Sequence, residues 1–232
     1  MPAILTAGVL GFPSVTAVPA SKGRLPKEAF YQGLEITAGL KRQFVDDIES
    51  LTMLAVIRSK ETGIPEGRHV REISVIEVKL KGERLPSAVL ERFSRFRDDM
   101  THHAVKVLYV IPDGTGYKTA VFRNANVNAG IHEGRLYVSD PRSLDGSGIR
   151  LVGSNLEQVW DSLCSQTVLN DETCGNIDQR IAVRERIMRL SAEQQRLETA
   201  HAKARQISRR NELWNQLREV TEELHRLQGE QQ

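Results

Sequence analysis

The chain of 232 residues has only two cysteines, 5% aromatic residues and a formal net charge of +2. Two cysteines cannot build a disulfide framework, nor a zinc site without other ligands, so the composition favours a reducing cytoplasm. The balanced charge excludes a strong overall field towards nucleic acid but leaves room for a local basic patch. Glycine and proline interrupt the mildly apolar first 20 residues, well before the ~20 apolar residues of a membrane span. We therefore expect a cytoplasmic protein that does not enter a membrane.

Hydrophobic residues make up 40% of the chain and charged residues 27%, which suits one domain with a buried core and an appendage. Residues 1–26 hold four of the eight prolines and predict an extended arm. Residues 27–170 have the mixed periodicity of a core domain. From Asp178 onward there is no proline and a single glycine, so we assign residues 171–232 to a helical tail.

The core alternates between helical and strand patterns. Apolar residues at helical spacing predict a helix over roughly residues 37–54, and the β-branched segment REISVIEVKLK predicts a strand. A helix follows from Ser87, then two strands joined by a turn at residues 112–116, and then a further strand in GRLYVSDP. The last core helix begins in GSNLEQVW, where Ser154 and Glu157 have the spacing of a capping box. This order predicts an α+β fold with a mainly antiparallel sheet.

The tail carries two apolar seams with heptad spacing. Their frames do not match, because the 16 residues from Leu197 to Leu213 are not a multiple of seven. One long helix and a helical hairpin therefore both remain open. In either case the seam needs a partner surface, which is the core, a second copy of the chain or another protein. The candidate interaction seam comprises Ile187, Leu190, Leu197, Leu213, Leu217, Val220, Leu224 and Leu227.

The strand REISVIEVKLK contains a Glu-x-Lys pattern at Glu77 and Lys79. Alternation along a strand places both side chains on one face, as in nucleases in which acidic groups hold Mg²⁺ and a lysine positions the attacking water. Such a site needs a second acid upstream. Glu72 falls on the opposite face of the strand, while Asp46 and Asp47 fall in the predicted helix, so no metal site is assigned. A salt-bridged strand face is the alternative interpretation.

The tail also contains a basic cluster that could contact the phosphates of DNA or RNA. Acidic residues follow it, so a solvated helix surface is the alternative. Trp214, beside the second seam, is expected to pack rather than to stack on a base. Neither a phosphate-binding loop nor a dinucleotide motif is present, and we expect no cofactor. The cluster consists of Lys203, Arg205, Arg209 and Arg210.

Four segments together resemble a known family. They are LGFPSVTAVPASKGRLPKEAFY near the start, the strand REISVIEVKLK, the helix GSNLEQVWDSLCSQTV and the tail ARQISRRNELWNQLREVTEELHRL. In this order they resemble the bacterial domain-of-unknown-function family 4391 over nearly the whole chain. The resemblance implies a cytoplasmic protein, often encoded beside helicases and DNA methyltransferases of restriction or phage-defence loci, and it assigns no catalytic residue.

The sequence thus supports three hypotheses. The first is a non-catalytic accessory subunit that assembles through its helical tail with a helicase or a DNA methyltransferase, with self-association through the tail left open. The second is a Mg²⁺-dependent nuclease that uses Glu77 and Lys79 together with an acid from the first predicted helix. The third is direct binding of nucleic acid by the basic cluster of the tail.

Overall fold

The structure is a computed structural model that describes residues 4–28, 36–100, 104–123, 134–144 and 148–229. The chain forms two compact units, Met1–Ile177 and Asp178–Gln232. This division falls a few residues after the boundary that composition suggested, because residues 171–177 belong to the first unit. Below, the first unit is called the core and the second the hairpin.

A six-stranded sheet forms the centre of the core. The strands are paired in chain order, and every neighbouring pair is antiparallel except β3 and β4, which are parallel. A parallel pair requires a crossover, and the helix between these two strands supplies it. The prediction of an α+β fold with a mainly antiparallel sheet is therefore confirmed. The strands are β1 (Arg24–Leu25), β2 (Ile48–Arg58), β3 (Glu72–Leu80), β4 (Val105–Asp113), β5 (Gly116–Arg123) and β6 (Arg135–Val138).

Helices cover both faces of this sheet. They are α1 (Ala20–Gly23), α2 (Ala38–Asp47), α3 (Ser59–Thr62), α4 (Ser87–Met100) and α5 (Leu156–Val168). On one face, Phe44 of α2 and Leu90 of α4 pack against Ile76 of β3 in the main apolar cluster. On the other face, α5 meets β5 through the Thr119–Thr167 hydrogen bond and the Arg123–Asp161 ion pair.

The N-terminal residues also lie on this second face. The segment expected to be extended includes a 3-10 turn at Ser14–Thr16 and the short α1. Its Leu5, Leu10 and Phe12 side chains are buried. The amide of Val18 donates to the carbonyl of Leu54, so the segment is tied to β2.

The helix expected over residues 37–54 is wrong in its second half, because α2 ends at Asp47 and residues 48–58 form β2. Two register shifts interrupt the pairing of β2 with β3, between Ile48 and Ser50 and again between Met53 and Ala55. Each inserts a residue, so side chains on one face of the strand are three apart instead of two. Ile48 and Leu51 share a face in this way, and their spacing imitates a helical period.

The cap of α5 also differs from the expectation. Asn155 is the N-cap residue and accepts a hydrogen bond from the amide of Gln158. The Gln158 side chain accepts a hydrogen bond from the amide of Ser154, the residue before the N-cap, so the bonding resembles a capping box one residue later than predicted. Glu157 is thereby released for another role, and its carboxylate accepts from the amide of Arg68 in the loop before β3.

The second unit is an antiparallel pair of helices. Helix α6 spans Ile177–Lys203 and α7 spans Ile207–Gly229, with a three-residue turn between them. Leu190 of α6 packs with Leu224 and Leu227 of α7, and Gln194 donates a hydrogen bond to Thr221. Of the two open alternatives for the tail, the structure has the hairpin. Within the described part of the chain, no helix combines the length and apolar character that a membrane crossing requires.

Candidate functional site

The Glu-x-Lys strand is β3, and its two charged side chains share one face as predicted. Their strand partners on β2 are Thr52 opposite Glu77 and Ser50 opposite Lys79. These four side chains point to the sheet face on which the N-terminal segment lies. The cleft between that segment and the sheet has a volume of about 780 Å³, and Leu5 and Phe12 contribute to its apolar wall.

Glu77 is half-buried in this cleft. Burial raises the pKa of its carboxyl above the ordinary value, while a hydrogen bond from Thr52 and the positive charge of Lys79 lower it by smaller amounts. The carboxylate is therefore held by one hydroxyl and a nearby charge. A carboxylate in this arrangement can accept a proton or a further hydrogen bond.

Lys79 forms its ion pair with a different carboxylate. Its ammonium lies 2.8 Å from the carboxylate of Glu49, and both side chains are about half exposed. The hydrogen bond and the charge of Glu49 raise the pKa of Lys79. A lysine held protonated in a solvated pair is poorly suited to take a proton from water.

Among the described residues that line the cleft, Glu77 is the one carboxylate, so the second acid that a nuclease needs is not found there. Opposite Glu77, β2 presents the hydroxyl of Thr52. Helix α2, which carries Asp46 and Asp47, packs through Phe44 on the other face of the sheet. Asp47 lies 3.9 Å from the guanidinium of Arg84. Among the described residues, no group of three His, Cys, Asp or Glu side chains is arranged to hold a metal ion.

Replacing Glu77 by glutamine tests its electrostatic environment. In the unfolded chain this carboxyl ionises near its ordinary pKa of 4.5, and in the folded chain it does so at a higher pH. Between these two values the folded chain binds more protons, so the free energy of unfolding falls as the pH rises. We expect Glu77→Gln to remove this fall and to stabilise the core at neutral pH by less than about 1 kcal/mol, because solvent screens a half-exposed group.

Urea unfolding at about pH 4 and about pH 7 measures this difference. The free energy of unfolding of the Glu77→Gln variant should exceed that of the wild type only at the higher pH. Glu49→Gln is the matched control, since it removes the same charge from an exposed ion pair and should change stability little. A Glu77→Gln variant less stable than the wild type at neutral pH would contradict the account.

The basic cluster of the tail lies at the tip of the hairpin. Lys203 ends α6, Arg205 lies in the turn, and Arg209 and Arg210 are in the first turn of α7. All four side chains are exposed. The structure therefore brings together residues that the sequence spreads over eight positions. Arg209 also pairs with Glu212 at 2.6 Å.

The candidate interaction seam lies between the two helices of the hairpin. Leu190, Leu197, Leu213, Leu224 and Leu227 are buried. Ile187, Leu217 and Val220 are partly buried, and Ile187 and Val220 pack against the same cluster. The two seams thus cover each other within one chain. A second chain could use this seam only by opening the hairpin.

Trp214 was expected to pack, and it is instead 56% exposed. The centroid of its ring lies 5.9 Å from the centroid of the His201 ring on the other helix, and the two ring planes are at 44° to each other. Ile207, at the start of α7, is 79% exposed. The sequence contained a signal for this, because Trp214 directly follows the seam residue Leu213 and so points about 100° away from the seam.

The chain combines an α+β core on a mixed six-stranded sheet with a two-helix hairpin. The family model described as "Domain of unknown function (DUF4391)" matches residues 10–224, which cover both parts. The chain belongs to this family, and the resemblance of its four segments is confirmed. A comparison with curated proteins and one with solved structures each found no match.

Proposed function

We propose that the chain is a non-catalytic accessory subunit of a DNA-processing assembly of the restriction or phage-defence type. In this proposal the hairpin docks on a larger enzyme, which is a helicase or a DNA methyltransferase. The hairpin itself carries the proposal. It is a compact unit with a closed internal seam, and its outer surface still exposes Met188, Ile207 and Trp214.

The closed seam changes how the tail would assemble. A hairpin whose apolar seam is already buried is a preformed element, so docking costs little additional ordering of its backbone. The outer surface is then the part that meets a partner. Exposed apolar and aromatic side chains on a rigid helical element are typical anchors of protein interfaces. Met188, which is 62% exposed and lies well away from the turn of the hairpin, is such a side chain.

The nuclease hypothesis finds less support. Its two named residues share a face of β3, but Lys79 is paired with Glu49, and the β2 residue opposite Glu77 is a threonine. A magnesium ion in a nuclease is held by carboxylates at oxygen–metal distances of about 2.0–2.1 Å. Of the described residues that line the cleft, only Glu77 supplies a carboxylate. The geometry of the described residues therefore favours the accessory role.

A cleavage assay separates the two hypotheses. The purified chain is incubated with plasmid DNA in the presence of Mg²⁺ or Mn²⁺, beside a Lys79→Ala variant prepared in the same way. We expect no cleavage by either protein, because one carboxylate does not assemble a catalytic ion. Cleavage by the wild type that disappears in Lys79→Ala would show that the chain is a nuclease and would contradict the non-catalytic role. Cleavage that is equal in both would end the Glu77–Lys79 hypothesis, because Lys79 would then have no part in the reaction.

A further inference from the structure

The tip of the hairpin combines positive charge with an exposed aromatic ring. Between Glu198 and Glu219 the chain has five Lys or Arg residues and a single acid, Glu212. Arg209 neutralises that acid across one helical turn. The tip is therefore locally cationic in a chain whose overall charge is almost balanced, and such a patch attracts phosphate groups.

The exposed side chains of α7 line up on one face of the helix. Ile207, Arg210 and Trp214 are spaced by three and then four residues, which places them in one row. The centroid of the His201 ring on α6 lies 5.9 Å from that of the indole ring. More than half of the Trp214 surface remains exposed. The row thus offers a guanidinium one turn away from an open aromatic ring.

This arrangement fits a nucleic acid strand better than a membrane surface. A helix that inserts into lipid presents a continuous apolar face with cations at its edges. Here the two exposed apolar residues, Ile207 and Trp214, are separated along the face by Arg210 and Asn211. A single strand, in contrast, offers phosphates and unstacked bases in alternation, and its binding proteins combine basic side chains with aromatic platforms.

We propose that the hairpin tip binds single-stranded nucleic acid, with phosphates on Arg205 and Arg210 and a base stacked on Trp214. A duplex satisfies only the charged half of this site, because its bases are already stacked on one another. This inference goes beyond the docking role, since it requires no protein partner. In that role, the accessory subunit would hold a single strand beside the DNA-processing enzyme on which it docks.

Binding is measured with the full chain and a labelled DNA strand of about 20 nucleotides, in parallel with the duplex of the same sequence. We expect the strand to bind more tightly than the duplex. Trp214→Ala should weaken strand binding about tenfold, whereas Trp214→Phe should keep most of it. The exposed position of Trp214 means that neither change disturbs the seam, and circular dichroism verifies that the helices remain.

The charged contacts are tested through salt dependence. Arg210→Gln should reduce the slope of log affinity against log salt concentration by about 0.7, the value for one phosphate contact on a single strand. Arg189→Gln is the matched control, because it removes an exposed arginine of α6 outside the tip and should leave the slope unchanged. Binding should also quench the fluorescence of Trp214, while Trp160, buried in the core, remains unaffected.

Three results would overturn the inference. They are equal affinity for strand and duplex, unchanged strand affinity in Trp214→Ala, and binding to vesicles of anionic phospholipid in place of the strand. The assay contains no partner protein, so its failure would leave the docking proposal standing. Conversely, a chain that binds the strand but recovers no partner would retain the tip site and lose the docking role.

Discussion

Leu224→Asp is expected to unfold the hairpin while the core stays folded. Leu224 is 4% exposed and packs with Leu190 and Leu227 between the helices. Removing a buried leucine costs about 2–5 kcal/mol, and a carboxylate without a partner adds to that cost. Two helices in contact along one seam depend on that packing for most of their stability. A loss of more than about 3 kcal/mol is therefore enough to open them.

Hydrogen exchange on the full chain measures this effect by region. The backbone amides of α6 and α7 should lose their protection in Leu224→Asp, and those of β3 and β4 should keep theirs. Gln216→Asp is the matched control, because it introduces the same charge at an exposed position of the same helix. Protected helices in Leu224→Asp, or an equal loss of protection in the sheet, would show that the hairpin is not an independent unit.

The hairpin could have been predicted from the seam itself. In a continuous coiled coil, apolar positions repeat by translation along the chain. In a hairpin the second helix runs back along the first, so partners are mirrored about a point near the turn. The pairs Gln194–Thr221 and His201–Trp214 are both centred between Ile207 and Ser208. The mismatch of the two heptad frames is thus the signature of the fold that the structure has.

The second half of the predicted helix at residues 37–54 was harder to read. A strand is recognised from alternation, and alternation fails wherever a bulge adds a residue. Strand β2 has two such interruptions within eight residues. The composition was the remaining signal, because TMLAVI is richer in strand-forming residues than the sequence before it. Bulges depend on pairing with a neighbouring strand, which a single segment does not show.

The strand carrying Glu77 and Lys79 was predicted with its correct face. The sequence could not give the partners across the sheet, because pairing of β3 with β2 depends on the register of residues about 25 positions away. That register places Thr52 beside Glu77, and Lys79 pairs with Glu49. The same two residues therefore lie in a half-buried cleft that has a hydroxyl where a nuclease would place its second acid.

The hairpin is the element through which an accessory subunit would act. Its helices are long enough to present an extended surface, since α6 has 27 residues and α7 has 23. Its seam is closed within the chain, so its outer side chains remain for a partner. If this is correct, loss of the hairpin fold should abolish recovery of the partner, a larger functional effect than any single change on the core surface.

Native co-purification tests this claim most directly. The tagged full chain is expressed in its own host and purified after nuclease treatment, which removes proteins bridged only by nucleic acid. The account predicts that a helicase or a DNA methyltransferase is recovered with the wild type and with Gln216→Asp, and is lost with Leu224→Asp. Recovery of the same enzyme with Leu224→Asp, or of no such enzyme with the wild type, would contradict it.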